Sequence, residues 1–66
     1  MKDFYSNYLA MYLLADDEQR DESKKHWIRC HKENIKSNRD DMICFSAKIL
    51  ALQAIADDTL KNKAIV

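Results

Sequence analysis

The stretch DDMICFSAKILALQAIADD, residues 40–58, decides the fold. Its apolar residues recur at helical spacing on two sides. Met42, Phe45, Ile49, Leu52 and Ala56 form one face, and Ile43, Ala47, Leu50, Ala51 and Ala54 form another. Narrow polar strips divide the faces, with Ser46, Gln53 and Asp57 on one side and Lys48 on the other. Asp40 and Asp41 open the segment, where acidic residues favour the positive end of a helix. Ser37 or Asn38 is the expected N-cap. The spacing predicts a helix over about 39–57, and Asp57 or Asp58 restarts a short final helix from Leu60 to Ala64.

Upstream, residues 17–37 carry a thinner apolar stripe, Trp27, Ile28, His31 and Ile35. Opposite it stand Lys25, Arg29, Lys32 and Lys36, again at helical intervals. This predicts a second helix that lays one seam on a core. Residues 2–15 form the first predicted helix. Phe4, Tyr8, Met11, Tyr12 and Ala15 share a face, with Leu9 and Leu13 beside them. Asp16 and Gln19 have capping-box spacing, which predicts a break near 15–17. With no turn residue there, one continuous helix is the alternative, supported by Asp21–Lys25 and Glu22–His26 at i,i+4.

The sequence contains no glycine and no proline. Hairpin turns of the primed types need positive φ, so β-hairpin architecture is disfavoured. Glycine-rich phosphate loops are excluded for the same reason. The expected class is all-α: one helical domain over residues 1–66, built as a helical hairpin plus an N-terminal helix. A domain of this length buries only about 60% of its unfolded surface and commonly needs a staple. The second face of the third helix lacks an internal neighbour. The expectation is therefore a homodimer or higher oligomer that completes a helical bundle through Ile43, Ala47, Leu50, Ala51 and Ala54.

Eleven basic and eleven acidic residues balance, but unevenly along the chain. Residues 16–22 hold five acids and one arginine, and residues 23–39 hold six Lys or Arg against one Glu. The basic side of the second helix (Lys25, Arg29, Lys32, Lys36) is the candidate site for nucleic acid or a phosphate-bearing nucleotide. The neutral total and the lack of a helix-turn-helix signature make this the alternative. Phe4, Tyr5, Tyr8 and Tyr12 form an aromatic cluster suited to docking an unidentified protein partner.

Catalysis and metal binding find little support. His26 and Cys30 lie at i,i+4, but His31 and Cys44 do not complete a known zinc spacing. The carboxylate pairs sit at predicted helix ends, where capping accounts for them. No enzyme, metal or cofactor is expected. Two cysteines are too few for a disulfide scaffold, and there is neither a membrane-length apolar run nor a signal peptide pattern, so the expected setting is cytoplasmic. In size and composition the chain resembles small accessory proteins of phages and plasmids. The aromatic cluster, the unpartnered face of the third helix and the lack of catalytic motifs make the expected function that of a regulator, inhibitor or adaptor acting by protein–protein association.

Overall fold

A computed structural model describes the backbone of residues 3–65 and the side chains of residues 3–62. It contains three helices: α1 (Phe4–Leu14), α2 (Asp17–Lys36) and α3 (Asp40–Ile65). The all-α expectation holds, and the described residues include no strand. The expected start of the first helix at residue 2 lies outside the described residues.

Each helix end has a local cause. Asp3 caps α1: its carboxylate accepts from the Tyr5 amide at 3.1 Å and from the Ser6 hydroxyl at 2.6 Å. These bonds, the one from the Ser6 side chain foremost, hold the Asp3 carboxyl below its ordinary pKa. The break after α1 is the predicted one. Ala15 and Asp16 are extended, and Asp16 closes a capping box with Gln19 through bonds of 2.8 and 3.0 Å. The Arg20 guanidinium reaches back to the Ala15 carbonyl and also pairs with Asp17.

The α2–α3 turn departs from the expectation. Neither Ser37 nor Asn38 is an N-cap of α3. Asn38 has φ 55°, and it ends α2 in the left-handed position that glycine usually fills. Its amide bonds to the Ile35 carbonyl at 3.2 Å, and the Arg39 amide bonds to the Asn34 carbonyl at 3.1 Å. These two bonds make a Schellman motif. Asparagine is among the few residues that tolerate this geometry. Asn38→Ile is therefore expected to cost about 1–2 kcal/mol of stability, whereas Asn38→Gly should match or exceed the parent, as read by urea denaturation.

α3 also differs from the expectation. It runs unbroken through Asp57 and Asp58, with no restart. At about 1.5 Å per residue its 26 residues span roughly 39 Å, which sets the 43 Å long axis of the molecule. The order is up-down-up. Contacts from Phe4 to Phe45, Tyr8 to Gln53 and Tyr12 to Asp57 climb together, so α1 runs parallel to α3. Contacts from Ser23 to Gln53 and His31 to Ser46 run in opposite senses, so α2 is antiparallel to α3.

The core lies along an unexpected side of α3. The strip Ser46–Ile49–Gln53–Ala56 is buried, and polar Ser46 and Gln53 are among its most enclosed side chains. The seam of α2 facing it is Ser23, Lys24, Trp27, His31 and Asn34. Ile28 and Ile35, expected on that seam, stand outside it and are exposed. Apolar packing concentrates in one aromatic cluster. There Phe45 meets Phe4, Tyr5 and Trp27 at centroid distances of 5.4, 5.8 and 5.8 Å. Edge-to-face and tilted pairs of this kind are favourable beyond their buried area.

Candidate functional site

Three layers of hydrogen bonds hold the helices together. Nearest the α2–α3 turn, the Ser46 hydroxyl donates to the Met42 and Ile43 carbonyls of its own helix. Its oxygen accepts from Asn34 Nδ2 at 3.2 Å and shares a hydrogen bond of 2.6 Å with His31 Nδ1. In the middle layer Gln53 Nε2 donates to the Tyr8 oxygen at 2.7 Å, and Tyr8 and Ser23 share a bond of 2.7 Å. Gln53 Oε1 is buried and has no partner among the described residues. In the third layer Asp57 accepts from the Tyr12 hydroxyl at 2.9 Å and from Lys24 Nζ at 3.1 Å. Tyr12 is 4% exposed. Burial first, then the bond to Asp57, raises its pKa well above the ordinary tyrosine range.

These layers decide the fate of the aromatic docking cluster. Tyr8 and Tyr12 are committed to internal bonds, and Tyr5 is half-buried beneath Lys48, whose Nζ lies 5.6 Å from the ring centroid. Phe4 alone of the four keeps an exposed face. The apolar surface of α1 is instead Met11 and Leu14, the latter 88% exposed. With Ala15 and Gln19 they line an open hollow of about 420 Å³. Periodicity missed this shift because it cannot tell a tyrosine that docks a partner from one that bonds a helix behind it.

The predicted outer face of α3 is where the spacing put it. Ala47, Ala51 and Ala54 are exposed, Ile43 and Leu50 are half-buried, and Ile55 adds a further exposed apolar side chain. The basic side of α2 is also outward: Lys25, Arg29, Lys32 and Lys36 are exposed. Lys25 pairs with Asp21 at 3.2 Å, and among the described residues the other three form no ion pair.

A cleft of about 560 Å³ is lined by charges of both signs, including Asp17, Arg20, Asp21, Lys24 and Asp57. The pairs Arg20–Asp17, Lys25–Asp21 and Lys24–Asp57 take up its carboxylates. His26 Nε2 lies 3.5 Å from Cys30 Sγ on one exposed turn of α2, and Cys44 stands apart on α3. Among the described residues no three His, Cys, Asp or Glu side chains converge in a metal-binding group. No helix of the described residues is long and apolar enough to cross a membrane.

No protein-family model, curated protein or solved structure matches the chain.

Proposed function

We propose that the chain acts by association and not by catalysis: a homo-oligomeric regulator, inhibitor or adaptor that pairs with itself through α3 and binds a further protein. One observation carries this reading. Polar side chains take up part of the interior while apolar ones stand outside it. Gln53, at 2% exposed, lies inside, while Ala47, Ala51, Ala54 and Ile55 of α3 and Met11 and Leu14 of α1 face outward. Burying such side chains stabilises by about 25 cal/mol per Å² of apolar surface, a gain forgone while they remain in water. A second copy on Ile43, Ala47, Leu50, Ala51 and Ala54 recovers part of it. Met11 and Leu14, at the far end of α1, are then free to serve the other protein.

Ala54→Lys tests the self-association, because Ala54 is already exposed and a lysine there leaves the helices intact. The wild type is expected to sediment at twice its 7.8 kDa chain mass at tens of micromolar, and the variant as a helical monomer. A wild type that stays monomeric at those concentrations overturns the proposal.

Arg29, Lys32 and Lys36 are exposed and form no ion pair among the described residues, which favours a second reading, in which this side of α2 holds nucleic acid or a nucleotide. It requires salt-sensitive retention on heparin that is lost when these three become alanine. Passage through heparin unretained at low salt would eliminate it.

A further inference from the structure

We infer that α1 is an exchangeable arm. In a second form of the chain, α1 and α2 run on as one helix, and α1 docks on the α2–α3 hairpin of another copy, which returns its own α1 in exchange. This goes beyond the pairing through α3 proposed above and does not depend on it. The interface it uses is already made within one chain.

The hinge carries the inference. Only Ala15 and Asp16 separate α1 from α2, and neither is glycine or proline. Their φ values, −73° and −83°, are near those of a helix, whereas their ψ values, 159° and 174°, are not. Turning these two ψ angles to about −42° makes residues 4–36 one helix. Leu14, Ala15, Glu18, Gln19 and Arg20 around the hinge are helix formers. The change opens the capping box of Asp16 and Gln19. In return, the amides of residues 16–19 bond to the carbonyls of residues 12–15, as in any helix interior. One set of bonds replaces the other.

The docking faces survive the change. Carried through the hinge at about 100° per residue, Tyr12 falls roughly 60° and Tyr8 roughly 100° round from Trp27. Ser23, which bonds to Tyr8, lies roughly 40° round on the same flank. A straightened helix therefore turns the contact residues of α1 and α2 to one side. The partners of α1, which are Phe45, Gln53, Asp57 and Ser23, are present on every copy. A second copy thus supplies each bond that the first gives up, and this identity of contacts names the occupant. A two-residue tether holds α1 over its own hairpin at an effective concentration on the order of millimolar. Exchange competes as the chain approaches that concentration, and at lower ones when the hinge is biased toward helix.

The test uses Ala54→Lys as its background, so that pairing through α3 does not enter. Spin labels are placed on Asn7→Cys and Lys36→Cys, with Cys30 and Cys44 replaced by serine. Labelled chains are diluted in unlabelled ones, so that the distance within one chain is read. With α1 folded back the labels stand roughly 20 Å apart, and on a continuous helix about 44 Å apart. Asp16→Ala removes the cap and puts the best helix former in its place. At about fivefold per hinge, it is expected to bring in the dimer at roughly 30-fold lower concentration than the background, with the long distance. Asp17→Pro acts the other way. Asp17 is the first residue of α2, where proline fits, and its side chain is 98% exposed. Inside a continuous helix the same proline costs more than about 100-fold. That variant is expected to remain a folded monomer with the short distance. An Asp16→Ala chain that stays monomeric near millimolar, or dimerises with the short distance unchanged, overturns the inference. If Asp16→Ala loses its helical circular dichroism, the background chain at millimolar decides instead: the long distance supports exchange, and its absence overturns it. Pairing through α3 stands or falls separately, on the sedimentation of the wild type and Ala54→Lys.

Discussion

Ile49→Ala is expected to unfold most of the population at room temperature. Ile49 is wholly enclosed, and with Tyr12 and Ala56 it makes up the buried apolar core of the described residues. Truncating a buried isoleucine to alanine costs about 2–5 kcal/mol, the loss of transfer energy plus that of the cavity left behind. A single core in a chain of this length seldom supplies more than about 3–5 kcal/mol. Polar side chains bound the site on α3, and they cannot collapse inward without losing their partners, so the upper part of that range applies. Ile49→Val, expected to cost about 0.5–1.5 kcal/mol, should remain folded. Circular dichroism in a urea series distinguishes the two. Near-equal midpoints would mean that the polar layers, and not Ile49, carry the fold.

The second large effect is expected in alkaline solution. Tyr12 donates to Asp57 only while it keeps its proton. Burial and the adjacent carboxylate raise its pKa in the folded chain above the value near 10 of an unfolded tyrosine. The folded state therefore holds this proton more tightly. Its contribution to stability is complete below about pH 10 and is lost as the pH rises from there toward the folded value. Unfolding midpoints should be flat between neutrality and pH 9 and fall steeply above 10. Tyr12→Phe should remove most of that fall. At neutral pH it should cost about 1.5–3 kcal/mol, the range for a hydrogen bond to a charged group. A phenylalanine variant with the same alkaline profile as the parent would show that another group controls it.

The two-faced character of the third helix and the break at Asp16 were legible from residue spacing alone. The capping box needs only Asp16 and Gln19, and it formed as the spacing implied. The inward side of α3 was not legible. Ser46, Gln53 and Asp57 read only as a narrow polar strip between two apolar faces, because a lone polar residue carries no sign of its partner. Their burial depends on α2 presenting Ser23, Lys24, His31 and Asn34, and on α1 presenting the hydroxyls of Tyr8 and Tyr12. One signal was available: polar side chains recur at matching helical intervals on both helices, which is what two facing polar seams require. The exposed apolar side chains were half legible. Those of α3 followed from periodicity. Ile28 and Ile35 did not, because an isoleucine beside Trp27 in sequence looks like core until the hydrogen bonds turn the helix.

The tyrosine bonds have one more consequence. α1 has only eleven residues and much of its circumference is apolar, so greasy contacts alone would let it slide along α3 by a turn at little loss. Hydroxyls do not allow that. At successive turns α1 offers none at Phe4, then one at Tyr8 and one at Tyr12, opposite a ring at Phe45, an amide at Gln53 and a carboxylate at Asp57. A slip of one turn would bring Tyr8 to the carboxylate and the bare ring of Phe4 to the amide, stranding the amide away from water. The phenol oxygens thus act as a ruler, and the missing one at Phe4 marks where its scale begins.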